Sequence, residues 1–137
     1  MSTLLLNTLT GKTSAGSIVV TGEGGSTTTN LQQGLAKAWV NLNGTGTIAV
    51  RDSINNASIT DNGTGDYSTT VTNAFGNVNY VCVATAGQNS GDQLAASNNE
   101  AGTNRTTTVI RTQVQRSTSD SALDVSVCEM TKMGDLA

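Results

Sequence analysis

The tetrapeptide Asn-Gly-Thr-Gly occurs twice, at 43–46 and 62–65, and each copy stands between short runs of alternating apolar residues. That arrangement constrains the chain to antiparallel β-hairpins. The first copy joins residues 36–42 to 47–50, and the second joins 57–60 to 67–71. Asn-Gly favours the positive φ values of a type I′ turn, and a second glycine relaxes a bulge beside it. Gly44, Gly46, Gly63 and Gly65 are therefore the expected turn residues.

Alternation sorts the flanking side chains. Ala38, Val40 and Leu42 share one face and Lys37, Trp39 and Asn41 the other, while Tyr67, Thr69 and Val71 share a face after the second turn. Residues 105–116 put Thr106, Thr108, Ile110, Thr112 and Val114 on a packed face and Arg105, Thr107, Val109, Arg111 and Gln113 on a wet one. The stretch 79–85 is apolar on both sides, which predicts a central strand. A last strand over 123–130 is expected to point Leu123, Val125 and Val127 inward. Residues 3–10 and 17–21 read as two short strands, and 86–102 is the longest stretch without strand pattern. Six to eight strands, no proline and no convincing helix predict an all-β fold. The expected architecture is a jelly-roll-like antiparallel β-sandwich over 26–137, preceded by an N-terminal β arm over 1–25.

Composition narrows the function classes. Trp39, Tyr67, Phe75 and Tyr80 are the whole aromatic inventory of 137 residues. Aromatic side chains supply much of the burial in a small core, so a chain this poor in them is expected to gain stability by oligomerising, here as a homotrimer. Net charge is −3 and the seven basic residues are dispersed. Nucleic-acid binding needs clustered Lys and Arg, so no nucleic-acid partner is expected. The first residues lack the basic start and long apolar run of a signal peptide, and no segment is long enough to span a bilayer, which predicts folding in a cytoplasm and no membrane insertion. Cys82 and Cys128 both fall at strand positions and read as small buried hydrophobes. A disulfide requires their strands to lie side by side or to meet across subunits, and cytoplasmic folding argues against relying on one.

Catalytic chemistry has little to work with. The chain contains no histidine, which removes His-based triads, most zinc sites and the commonest general base. Asp61 and Asp66 flank the second turn, and a hairpin there could set them opposite one another as a glycosidase carboxylate pair. Polysaccharide-cleaving folds, however, present long aromatic-lined grooves. The same segment resembles a fragment of a calcium loop without the full ligand spacing, and reads better as a solvated turn. No catalytic residue, metal or cofactor is expected.

The stretch from Leu35 to Ser53, reading LAKAWVNLNGTGTIAVRDS, continues through ITDNGTGDY at 59–67. It closely resembles a block near the C-termini of tailed-bacteriophage fibre and related virion structural proteins. The opening LLLNTLTGKTSAGSI at 4–18 is similar to the start of such proteins, and Gly134-Asp135-Leu136-Ala137 to their end. The resemblance implies a virion structural protein made in a host cytoplasm, with itself and other virion proteins as partners. A small trimeric tail fibre, attached at the tail or baseplate and contributing to host attachment, is the expected role. A capsid decoration protein stabilising the head is the alternative. The polar segment 88–100 is the expected exposed tip, with Asn89, Asp92, Gln93, Asn98, Asn99 and Glu100 as candidate partners for a host-surface glycan.

Overall fold

Hydroxyl and charged residues that alternate with apolar ones favour strands, because a pleated backbone sends successive side chains to opposite faces. The computed structural model describes residues 3–12, 18–21, 25, 27–32, 34–87, 93–99 and 104–137. Among them run β1 (Val19–Thr21), β2 (Thr28–Asn30), β3 (Ala38–Asn43), β4 (Ala49–Ile54), β5 (Asn56–Gly63), β6 (Asp66–Val71), β7 (Val81–Ala86), β8 (Leu94–Asn99), β9 (Val109–Arg116) and β10 (Cys128–Met133). Every pairing is antiparallel.

The chain divides into two units, Met1–Leu35 and Ala36–Ala137. In the first, β1 pairs with β2, and the Leu31 N–H donates to the Ile18 carbonyl at 2.9 Å. The expected arm at 1–25 thus shares a unit with Thr28–Asn30. Residues 3–10 join no strand, contrary to the sequence reading, and Leu4, Leu5, Leu6 and Leu9 are exposed. Their apolar residues form a run rather than an alternation, so neither face of a pleat is specified.

In the second unit, two four-stranded sheets face one another, the first in the order β4-β3-β10-β7 and the second β5-β6-β9-β8. The inward side chains are those alternation selects on the central strands: Ala38, Val40 and Leu42 on β3, Tyr67, Thr69 and Val71 on β6, and Ile110, Thr112 and Val114 on β9. Three expectations need correction. The stretch 79–85 is not central, because β7 lies at a sheet edge with Val81 and Val83 half exposed. The last strand starts at Cys128 rather than Leu123 and turns Cys128, Met130 and Lys132 inward. Residues 94–99 form a strand despite their Ala, Ser and Asn content, held along β9 from Leu94–Arg116 to Asn99–Arg111.

Both Asn-Gly-Thr-Gly copies close hairpins, yet neither does so with Asn-Gly as a type I′ corner. Positive φ falls on the second glycine of each copy, Gly46 at 65° and Gly65 at 63°, and on Gly63 at 131°, but not on Gly44. The asparagine of the first copy acts through its side chain, with Asn43 Oδ1 accepting from the Thr45 hydroxyl at 2.8 Å. In the second, Asp61 Oδ1 accepts the Gly63 N–H at 2.9 Å and Gly63 pairs with Asp66, leaving Thr64 and Gly65 as the turn.

The two turns, one from each sheet, meet on residues 123–125. Gly44 N–H donates to the Val125 carbonyl at 2.8 Å, and Gly65 N–H to Asp124 Oδ1 at 2.7 Å. The same Asp124 oxygen accepts the Tyr67 hydroxyl at 3.1 Å. Tyr67 is fully buried, and its ring fills the space where a Cβ on Gly44 would stand. Burial pushes the Tyr67 phenol well above its ordinary value, with Asp124 adding to the shift. Around Tyr67 pack Val40, Leu42, Val114, Val125, Cys128 and Met130.

A second, smaller core joins Ala38, Val71, Phe75 and Tyr80, with the two rings stacked at 4.2 Å. The Arg105 guanidinium lies over the Tyr80 ring, 4.6 Å from its centre. Gly134-Asp135-Leu136-Ala137 is hydrogen-bonded beside this core, with its last three residues exposed: Gly76 N–H donates to the Asp135 carbonyl at 2.8 Å, and Ala137 N–H to that of Ala74 at 2.9 Å. A Cβ on Gly134 would press on Tyr80 and Phe75.

Lys132 is the exception in this interior. It points between the sheets, 2% exposed, and its Nζ donates to Thr69 Oγ1 at 2.7 Å. Burial brings its amine down to about 8, with the opposing Cys82 thiol acting the other way. The two cysteine strands do lie side by side, but register sets Cys82 opposite Lys132 and Cys128 opposite Ala86. Four residues of offset separate the thiols by about 13 Å along the strands, too far for a disulfide within one chain. Both are free, and burial raises both, Cys128 to about 12.

Glycine substitutions should rank by surroundings. Gly46→Ala meets open space and carries only the left-handed penalty, about 1 kcal/mol. Gly63→Val also meets open space but places a β-branched residue at positive φ, and should cost more. Gly65→Ala adds overlap with the Val114 and Leu123 backbones to its positive φ, and should lower the melting temperature most. Equal melting temperatures for the Gly65 and Gly46 variants would contradict the turn geometry.

Lys132→Met should stabilise the fold at pH 7. The amine's folded-state value of about 8 lies below its ordinary 10.5, so the unfolded chain holds the extra proton between those values. Stability from this group therefore rises with pH across that window, by about 3 kcal/mol in all. The raised thiols and phenol act oppositely above about pH 9, and comparison with the variant isolates the lysine. The margin of Lys132→Met over the parent should be largest at pH 7 and shrink towards pH 10 in thermal melts.

Candidate functional site

The inward alternation of β6 and β9 leaves Asp66, Ser68, Arg111 and Gln113 on the outer face of the second sheet. Register sets Ser68 and Asn99 beside Arg111, and Asp66 and Ser97 beside Gln113. The Arg111 guanidinium grips the Asp66 carboxylate with two parallel bonds, Nε to Oδ1 at 2.7 Å and Nη2 to Oδ2 at 2.5 Å. Bidentate pairing of this kind is stronger and more directional than a neutral hydrogen bond. Gln113 Nε2 and Asn62 Nδ2 each reach the same carboxylate at 3.4 Å. Arg111 Nη1 approaches Asn104 Oδ1 at 3.4 Å, and Asn104 Nδ2 donates to Asn99 Oδ1 at 3.1 Å. Asn62 also donates to Ser68 Oγ at 2.8 Å.

The result is a patch of amides and hydroxyls organised around one ion pair, the ion pair found among the described residues. The Arg111 hydrogen bond holds the Asp66 carboxyl below its ordinary value, against the opposing effect of burial. Asp66 is therefore a fixed anion at neutral pH, suited to orienting hydrogen bonds rather than to moving protons. The carboxylate pair considered from the sequence does not form: Asp61 stands opposite Tyr67, and its side chain is engaged by the Gly63 N–H. Nor does the turn make a cation cage, since the guanidinium of Arg111 occupies the Asp66 oxygens.

The three described candidate receptor residues, Gln93, Asn98 and Asn99, do not come together in one site. Asn89, Asp92 and Glu100 lie outside the described residues. Gln93 is exposed, and its carbonyl accepts from Ser117 N–H at 2.9 Å. Asn98 turns inward, donating to the Cys82 carbonyl at 2.7 Å and accepting from the Thr112 hydroxyl at 3.2 Å, so it ties the two sheets together. Of the three described, Asn99 alone joins the amide patch. From the sequence, Arg111 and Gln113 read as the wet face of their strand and Asp66 only as half of a carboxylate pair with Asp61; nothing there marks Asp66 as the partner of Arg111 and Gln113 across 45 and 47 residues.

Comparison of the chain with protein-family models, with curated proteins and with solved structures found no match. Any functional reading therefore rests on the residues themselves.

Asp66→Asn should remove the charge-assisted pair and cost about 1 kcal/mol at pH 7, a value appropriate to a partly exposed bond. Because the folded-state carboxyl lies below 3.8, this stabilisation is complete above that value and is lost as pH falls through the lower one. Melts of parent and variant should differ at pH 7 and converge in acid.

Proposed function

We propose that this protein is a non-enzymatic bacteriophage virion structural protein, a small homotrimeric tail fibre. Its N-terminal arm attaches it to the particle, and its sandwich helps the particle meet the host surface. The observation that carries this reading is where the phage-like motifs fall in the fold. Both Asn-Gly-Thr-Gly turns converge on 123–125, and Gly134-Asp135-Leu136-Ala137 is hydrogen-bonded beside the second core. Residues that resemble fibre proteins are thus used to build a stable β-domain, and such a domain suits a part whose work is mechanical.

The amide patch around Asp66 and Arg111, with Asn99 at its border, supports a glycan-facing role, since sugars are recognised by fixed donors and acceptors. Binding would be weak at each copy and strengthened by several copies on one particle. Asn98 is left out of the proposed contact because it spans the sheets.

A low-resolution map of the particle tests the placement, with density at the tail or baseplate expected. Ala at Asn89, Asp92 and Gln93 together should leave assembly intact and slow adsorption to host cells. Normal adsorption by those particles would remove this segment from host contact. If the density instead sits on the head, and loss of the protein makes heads fragile to heat or low salt with adsorption unchanged, the decoration role replaces the fibre role.

A further inference from the structure

The outer face of the first sheet is apolar through its middle. Register places Val83, Thr131, Trp39 and Ile54 in one row across the four strands, with Val81 and Met133 in the next. Val81, Val83 and Ile54 are each at least half exposed, and a depression of about 280 Å³, lined by Trp39 and Thr131 on the apolar side and by Asn41 and Glu129 on the polar side, opens between the rows. Interrupted only by Thr131, such a row of exposed apolar side chains marks an interaction surface more often than a face left in water. The neighbouring row carries Glu129 and Asp52, neither of which forms an ion pair among the described residues. At one edge, β4 is guarded by Arg51, Asp52 and a register shift; β7, at the other, has no charge and no bulge.

The same chain carries a segment with matching properties. Leu4, Leu5, Leu6 and Leu9 are each more than half exposed in residues that join no strand, and the cation of Lys12 follows them. Four strands span about 14 Å from first to last, and eight extended residues reach about 26 Å, so the segment is long enough to cross the face. Its leucines match the apolar band, and Lys12 matches the neighbouring carboxylates, Asp52 on the edge strand and Glu129, which accepts from Asn41 and Thr85 but from no cation among the described residues.

We propose that residues 3–10 of one copy lie across the outer face of the first sheet of a second copy, with Lys12 against Glu129 and Asp52. This rests on the homotrimeric reading and names its contact. Because the donor and acceptor surfaces differ, the contact is head-to-tail, and three such contacts close a ring.

Trp39 is the only tryptophan of the chain and sits within the receiving face, so its emission reports on the contact in the full-length protein. Leu5→Glu with Leu6→Glu should abolish the trimer mass in light scattering and shift Trp39 emission to the red. These changes lie outside the Ala36–Ala137 unit. Ile54→Glu with Val83→Glu should also lose the trimer mass, and an equal mixture of the two variants should recover a two-copy species, one supplying the arm and the other the face. Carbodiimide treatment of the parent should link Lys12 to Glu129 or Asp52 in the two-copy band. A trimeric parent whose arm variant stays trimeric with unchanged emission would overturn the arm exchange and leave the homotrimer standing. A monomeric parent would overturn both.

Discussion

One carboxylate holds the sandwich at its turns. Asp124 takes the Gly65 N–H and the Tyr67 hydroxyl on a single oxygen, while the adjoining Val125 carbonyl takes the Gly44 N–H. Tyr67 is the largest fully buried side chain, and its hydroxyl is polar. A hydroxyl left without a partner at that depth would cost on the order of 1–3 kcal/mol. Asp124 removes that penalty and fixes a turn from each sheet in the same stroke. The close approach of Gly44 to the ring and the backward curl at Gly65 follow from this arrangement.

The sandwich was legible where burial and alternation agree. On β3, β6 and β9 the inward residues are apolar or threonine and the outward ones, Trp39 and Val109 apart, are polar, and period-two reading finds the correct face. It failed on β10 because the inward positions include Lys132, a residue that interiors ordinarily reject and that here finds only Thr69. Reading Leu123, Val125 and Val127 as the inward set was natural, but Val125 is buried by the turn cluster rather than by strand pairing. At β7 the error was about position in the sheet. Valine suits a pleated, half-buried surface as well as a fully buried one, so an apolar strand need not be a central one.

The turns were located correctly and assigned the wrong geometry. Sequence offers Asn-Gly as the sharpest corner, but Gly44 is required for its lack of a side chain against Tyr67, which is a long-range fact. Asn55 shows the reverse. Its φ of 51° turns the chain from one sheet to the other, and its side chain donates to the carbonyls of Lys37 and Asn73, each at 3.1 Å. Asn-Asn between two β-rich runs was the available signal. The amide patch was hidden for a similar reason: β9 recruits β8 and β6 from distant parts of the chain, and local reading cannot pair them.

The place of β10 has a consequence for the timing of folding. It is the last strand in order, and it lies between β3 and β7, so the first sheet has no continuous middle until residues 128–133 are available. Asn41 and Glu129, bonded across that seam, are 88 residues apart. Pairing at such separation closes large loops before any reward is gained, and is slow. On the ribosome, the inner edges of β3 and β7 must therefore wait, unpaired and open to neighbours, until residues 128–133 have been made.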